Sequence, residues 1–352
     1  MPKVTVLMAV FNAEKYLNEA IESILNQTFS NLEFLIIYDK SQDKTLEILK
    51  SYSDPRLRII ENEERLGFVK SLNKGLSLAE GEFIARMDAD DISLPKRLAI
   101  QLDYFDSHPF IDFVCSSISV MDETGCVIDY IADISSSDEI YYTLNFRNCI
   151  AHGSVMFRKS IIDLVGNYEE SCAAEDYNLW HRISKKYVIH KIDQPLYGWR
   201  THKTSISSVN STRLREAAYG IFRANLINLL GRNVEGKLTR LVWDNFCNTH
   251  YADLNDYSYK EIATIAELIR ELNIKIVNTT PPGLSKRVIT DLGNEKYMRY
   301  LFVTGRKMGL FKTLELINSI DENSIYKVSI IRKLINNFIK STINKKDIGR
   351  NY

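Results

Sequence analysis

The sequence predicts an α/β protein with a mostly parallel sheet, followed by a helical region. Three observations predict it. Short apolar runs alternate with helically spaced apolar residues through the first hundred or so positions. The runs are nearly continuous, as in strands covered on both faces. Past about residue 210 strand signals nearly vanish, and Ala, Leu, Ile and Asn recur at helical spacing.

Val4–Val10 is the first run, interrupted only by Thr5. It is about half the length of a signal-peptide apolar region with its flanks, and it reads as a strand. Leu17, Ala20, Ile21, Ile24 and Leu25 then share a helical face. Residues 32–37 form the second run, Leu46 and Leu49 mark a short helix, and 57–60 the third strand. Val69, Leu72, Leu76 and Ala79 mark another helix, 83–87 a fourth strand, and Leu98, Leu102 and Phe105 a helix after Pro95. This alternation predicts βαβ units with right-handed crossovers. Ligands in such sheets bind beyond the carboxyl ends of the strands, here just after Val10, Ile37, Ile60 and Met87. Further on, 113–130 is strand-like with a turn at Asp122-Glu123-Thr124-Gly125, 154–157 reads as a strand and 174–186 as a helix. The expected domains are 1–210 and a helical 211–352, with the acceptor side of the first beginning near 110.

Composition narrows the function. Lys plus Arg equals Asp plus Glu, 45 each, so no global field recruits nucleic acid. The five cysteines are odd in number, widely spaced and without a CxxC pair. That argues against a disulfide framework or zinc knuckle, and for a reduced, cytoplasmic setting. No run approaches the length of a membrane-spanning helix.

Arg86-Met87-Asp88-Ala89-Asp90-Asp91 places three carboxylates in four residues after an apolar strand. Crowded like charges are costly unless a cation neutralises them. Mg2+ or Mn2+ carrying a diphosphate suits that position; a solvated acidic turn leading to the next helix is the alternative. Asp39, in Tyr38-Asp39-Lys40, could accept a hydrogen bond from a base or ribose, or serve as a turn residue. Glu175-Asp176 opens an amphipathic helix, where acidic residues are common for dipole reasons alone.

Taken together, these residues resemble one family. Leu7-Met8-Ala9-Val10-Phe11-Asn12, Ser23-Ile24-Leu25-Asn26-Gln27-Thr28, the pair Asp88 and Asp90, and Glu175-Asp176 occur in the order seen in inverting glycosyltransferase family two, of the GT-A fold. His152-Gly153-Ser154-Val155-Met156-Phe157-Arg158 and Arg200-Thr201-His202 look like that family too. The resemblance covers residues 3 to about 207 and says little of the rest. It implies a Rossmann-like nucleotide-diphospho-sugar transferase of the bacterial cell-envelope polysaccharide type. Ala9, Phe11, Glu14 and Ala89 would line the nucleotide pocket, and Asp39 would read the base, uracil being expected. Asp88 would face the ribose or a metal-bound water. Asp90 and His202 would hold Mn2+ or Mg2+. Asp176 would be the general base, with Glu175 beside the donor or acceptor sugar. The partners implied are a nucleotide-sugar donor and a glycan or lipid-linked glycan acceptor.

Two departures matter. The family usually has two aspartates and a glycine where this chain has Tyr38, Asp39 and Lys40, which changes the shape of the base pocket. The processive members carry Gln-x-x-Arg-Trp and membrane helices, which this chain lacks, so one sugar per binding event is expected. Tyr197 and Trp199 could stack on a sugar or pack in the core. His152 reads as structural or acceptor-side.

Two other readings compete. A nucleotidyltransferase would show a glycine-rich phosphate loop after the first strand, where Phe11-Asn12-Ala13-Glu14 stands. A non-catalytic sugar-binding protein on the same fold is the other. Near the C-terminus, Ile330, Ile331, Leu334, Ile335, Phe338 and Ile339 share a face ringed by Arg332, Lys333, Lys340, Lys345, Lys346 and Arg350. Such a helix can lie on an anionic membrane at the inner face, dock on the catalytic domain, or pair with a second subunit.

Overall fold

The computed structural model of the protein describes residues 1–131, 134–247 and 258–308. The chain divides into two compact units. One holds Met1–Leu144, Asn148–Ala218 and Pro281–Leu284; the other holds Asn145–Arg147, Tyr219–Thr280 and the described residues from Ser285 onward.

The first unit begins with the expected alternation. The elements are β1 (Val4–Val10), α1 (Leu17–Leu25), β2 (Leu32–Tyr38), α2 (Thr45–Ser51), β3 (Leu57–Glu61), α3 (Phe68–Leu78) and β4 (Phe83–Arg86). β3, β2, β1 and β4 lie side by side, all parallel. Every residue of β1 and β2 is buried, which is why their sequences do not alternate. Val4, Val6, Met8 and Val10 pack with the α1 residues Leu17, Ala20, Ile21 and Ile24. On the other face α3 crosses Leu7 at Gly75, where an added Cβ would lie 2.2 Å from the leucine Cδ1. A larger residue there would push the Leu7 side chain aside.

The rest of the sheet is mixed. It is built from β5 (Ile92–Ser93), α4 (Arg97–Ser107), β6 (Phe113–Met121), β7 (Val127–Ile131), α5 (Ser137–Leu144), a 3₁₀ turn at His152–Ser154, β8 (Met156–Arg158), α6 (Ser160–Val165), α7 (Glu175–Ser184) and β9 (Ile189–Arg200). β8 joins the halves, antiparallel to both β4 and β6. β9 runs parallel to β6 and antiparallel to β5. β9 is not apparent from the sequence pattern, for a physical reason. It contains Pro195, and its register against β6 shifts around Ser117, the partner of that proline. A proline cannot donate to the ladder, so it sits at the irregularity.

α8 (Ile206–Val209) and α9 (Ser211–Leu230) follow, then α10 (Gly236–Cys247), α11 (Tyr259–Asn278) and α12 (Lys286–Met308). Past β9 the described residues contain helices and no strand. Leu226, Leu230, Ile262, Ile265, Leu268 and Ile269 are buried, and Leu229, on the same helically spaced set in the sequence, is half-buried. Ser258 and Glu261 form a reciprocal cap at the start of α11. In this second unit Asn225 Nδ2 and Trp243 Nε1 donate to the carbonyls of Asn145 and Phe146, which ties residues 145–147 to the helices. Among the described residues no helix is long and apolar enough to cross a membrane. The amphipathic segment at 330–339 lies outside the described residues.

Candidate active site

The acidic segment follows β4, beyond the carboxyl ends of the parallel strands, and its three carboxylates take three different partners. Asp91 turns inward and is 2 % exposed. It accepts from the Tyr197 hydroxyl and the Arg200 backbone N–H, each at 2.7 Å. Burial, with the nearby Asp90 and Asp88 charges, pushes its carboxyl well above the usual range. Asp91 therefore fastens the loop to β9. Asp88 accepts from Arg86 Nη2 at 2.6 Å, and its own N–H donates to the Tyr197 oxygen. Burial raises the Asp88 carboxyl despite the guanidinium beside it. Tyr197 is thus a buried brace, not a sugar platform.

Asp90 alone points to His202, with Oδ2 and Nε2 2.8 Å apart. His202 Nδ1 meets Thr204 Oγ1 at 2.9 Å, and its ring packs on Tyr16. Arg200 holds the same turn by donating Nε–H to the Asp90 carbonyl and Nη2–H to Glu19. From the other side, Gln27, just past the end of α1, donates to Leu94 O and accepts from Leu98 N, and so fixes the entry to α4. A converging carboxylate and imidazole fit a hard or borderline cation. Asp88, expected beside them, belongs instead to Arg86. Among the described residues no three or more His, Cys, Asp or Glu side chains come close enough together to hold a metal ion by themselves. A cation on Asp90 and His202 would take its other ligands from water or diphosphate.

On the nucleotide side, Ala9 is buried in β1 and Phe11 stands exposed beyond it, with the Arg65 guanidinium 4.0 Å from its ring centroid. Ala89 is half-buried against the core. Glu14 is exposed, and one oxygen accepts from Lys44 N, joining the loop after β1 to that after β2. Asp39 is almost fully buried. Its Oδ1 accepts from Leu66 N and Asn62 Nδ2, and its Oδ2 from Gly67 N. Asp39 thereby shapes the loop that opens α3, where Gly67 takes a φ of +85°. The bulk of Tyr38 goes into the core, and its hydroxyl accepts from Ser41 N.

Glu175 and Asp176 open α7. Tyr177 N donates to Asp176 Oδ1 at 2.7 Å and Asn148 Nδ2 to Oδ2 at 2.8 Å, which fixes the carboxylate plane. Burial pushes Asp176 up to about 6, against those two hydrogen bonds. Burial, and then the Asp176 charge, pushes Glu175 up to about 8. The Asp88 charge contributes to raising both, so the acidic loop and α7 face one space. Arg86 and His152 stand between them. Arg86 Nε donates to His152 Nε2 at 3.2 Å, and His152 Nδ1 lies 3.9 Å from Glu175 Oε1. Asp88, Glu175 and Asp176 are thus brought together, and Asp90 is paired with His202. Asp39, Glu14 and Phe11 form a separate rim after β1 and β2. Arg86, Asn148, Tyr168 and Arg200 carry no assigned role in the sequence reading. The signal for Arg86 is its place two residues before Asp88 at a strand end.

This arrangement has relatives. Residues 5–165 match the sequence profile described as Glycosyl transferase family 2. An uncharacterized glycosyltransferase of Haemophilus influenzae is 33% identical over 244 residues, covering 66% of this chain and 75% of that one. The O-antigen biosynthesis glycosyltransferase WbnJ of Escherichia coli is 36% identical over 186 residues, covering 51% of this chain and 71% of its own. The S. aureus TarS 1-349 structure in complex with UDP-GlcNAc superposes with a TM-score of 0.54 at 19% identity, covering 87% of this chain and 92% of that one. The fold is therefore GT-A. On that fold, and at that identity to the Haemophilus protein, the chain belongs to glycosyltransferase family 2.

Proposed function

We propose that this glycosyltransferase is inverting and non-processive, and moves one sugar from a UDP-sugar to a hydroxyl of a glycan or lipid-linked glycan. The observation that carries the reading is the pairing at α7: two adjacent half-buried carboxylates, one held in a fixed plane, facing the acidic loop. Asp176 takes the proton from the acceptor hydroxyl as that oxygen attacks the anomeric carbon. The raised Glu175 keeps its proton at neutral pH and offers an O–H to a sugar oxygen. Asp90 and His202 would hold Mg2+ or Mn2+, which when bound offsets charge on the departing diphosphate. Inversion of an α-linked donor gives a β-glycoside. The fold neighbour bound to UDP-GlcNAc supports a uridine donor, and the O-antigen relative supports a glycan acceptor. The test is transfer or hydrolysis across a panel of nucleotide sugars, with manganese and with chelator. A chain that binds a nucleotide sugar without turning it over is a sugar-binding protein; release of pyrophosphate from a nucleoside triphosphate would make it a nucleotidyltransferase.

Asp39 keeps a lone pair on Oδ2 for a base N–H. Asp39→Ala weakens UDP-sugar and free UDP alike, because that contact exists in ground and transition states. Isothermal titration with both ligands checks this; unchanged affinity for both leaves Asp39 as the fastener of the 62–67 loop alone.

The basic C-terminal segment supports peripheral contact with the inner face of an anionic membrane. Removing residues 326–352 leaves transfer to a short soluble acceptor intact and reduces sedimentation with anionic vesicles. A full-length chain that ignores vesicles ends that idea.

A further inference from the structure

His152 lies in the 3₁₀ turn before β8, and its side chain is only 11% exposed. Its ring is boxed by Phe68, Tyr168 and Trp180, with centroids at 6.2, 5.4 and 5.8 Å. Two groups converge on its Nε2: the Arg86 Nε–H donates at 3.2 Å, and the Tyr168 hydroxyl lies at 2.8 Å. An arginine Nε–H has no acceptor form, so Nε2 carries the lone pair and the ring proton sits on Nδ1. A doubly protonated ring would face donor to donor. Burial and the Arg86 charge hold its pKa well below the usual value, in the same direction. The one remaining polar atom, Nδ1–H, faces Glu175 Oε1 at 3.9 Å. That is too long for a hydrogen bond in the free enzyme. Catalytic hydrogen bonds are often long before the substrate complex forms and tighten within it.

We infer that His152 is a positioning residue: an imidazole held by the Arg86 donor as the Nδ1–H tautomer, whose Nδ1–H orients Glu175, linking the Arg86–Asp88 pair to the Glu175–Asp176 pair. The inference rests on the transfer reaction proposed above. Arg86 spans the two ends, donating Nη2–H to Asp88 at 2.6 Å and Nε–H to the imidazole. A shift of Asp88 on donor binding is passed through two rigid planar groups to the carboxyl that faces the sugars. Coupling of this kind makes α7 geometry depend on an occupied donor site.

Two substitutions separate the two ends of the ring. Asn places an amide N–H near the Nδ1 position and lacks a group at Nε2. Gln reaches the Nε2 position with an acceptor oxygen and lacks the Nδ1 donor. His152→Gln should keep the donor KM within about twofold and lose about 10- to 100-fold in kcat, the scale of misplacing a group near the reacting atoms. His152→Asn should recover most of kcat. The wild-type imidazole should appear in long-range 1H–15N spectra at neutral pH as the Nδ1–H tautomer. An Nε2–H or doubly protonated ring overturns the inference even if neither variant folds. So does an equal kcat for the two variants in folded protein. A wild-type enzyme inert toward every nucleotide sugar removes the transfer reading and this role with it. Turnover by the wild type with indifference to both substitutions removes only His152.

Discussion

Asp176→Asn binds UDP-sugar and metal as the wild type does, and transfers about 10²- to 10⁴-fold more slowly. The substitution is nearly isosteric. Tyr177 N can still donate to the amide oxygen at the start of α7, but the amide nitrogen faces Asn148 Nδ2 or forces it to flip. The local cost is about one hydrogen bond, on the order of 1 kcal/mol. The chemical cost is larger, since an amide cannot take a proton at neutral pH. If Asp176 only shaped the helix start, the rate would follow the small stability change and stay near wild type. The pH profile gives an independent check. Burial raises the Asp176 carboxyl to about 6, so its base form is lost as pH falls through that value. The kcat/KM of the wild type should rise with pH through about 6, and the residual rate of Asp176→Asn should lack that limb. Near wild-type turnover in the variant at saturating donor would falsify Asp176 as base and make Glu175 the next carboxylate to test.

The part of the fold legible in the sequence is the part whose signal is local. β1, β2 and β4 are continuous apolar runs because helices cover both faces, and their intervening helices carry plain apolar stripes. The mixed half is harder to read. β5 has two residues, and β9 is bent around Pro195, so neither shows a period. Their positions are set by partners distant in sequence. The same holds for the site. Asp88, Asp90 and Asp91 look equivalent in the chain, but the structure sends them to Arg86, His202 and the Tyr197–Arg200 strand end. The partners of Asp91 lie 106 and 109 residues away. Nothing in a four-residue acidic string tells which carboxylate will be buried. The burial that separates Glu175 from Asp176 is likewise a tertiary property: a helix N-terminus alone would lower both carboxyls, and desolvation overrides it. Arg86 and Arg200, each almost fully buried, organise both ends of the acidic loop. A buried arginine is rare enough to mark a site only once burial is known.

Asp90→Ala loses metal-dependent nucleotide binding and transfer while keeping its melting temperature close to wild type. The division of labour in the acidic loop explains why both results are expected together. The contact that Arg200 Nε makes with residue 90 goes to the backbone carbonyl, which alanine retains. The loop's hold on β9 comes from Asp91, which the substitution leaves alone. The Asp90 side chain is one-third exposed, and its partner is His202. Losing a partly exposed pair costs at most about 1 kcal/mol. A hard cation, in contrast, is left with a single imidazole, too weak a protein anchor to keep it on the diphosphate. The measurements are a thermal-shift series with UDP and manganese, and a transfer assay with and without chelator. Wild type should gain melting temperature from nucleotide only when the metal is present, because ligand bound to the native state alone stabilises it. Asp90→Ala should show no such gain. His202→Ala should behave in the same way, and less severely, since a carboxylate remains. Asp91→Ala is the contrasting control. It strips the Tyr197 hydroxyl and the Arg200 N–H of their buried acceptor, which costs roughly 1–3 kcal/mol for each group left unsatisfied. That variant should melt early before any question of metal arises. If Asp90→Ala transfers sugar at the wild-type rate, or chelator leaves the wild type fully active, the pair is a structural hydrogen bond, and the charge on the leaving diphosphate must be met by other groups.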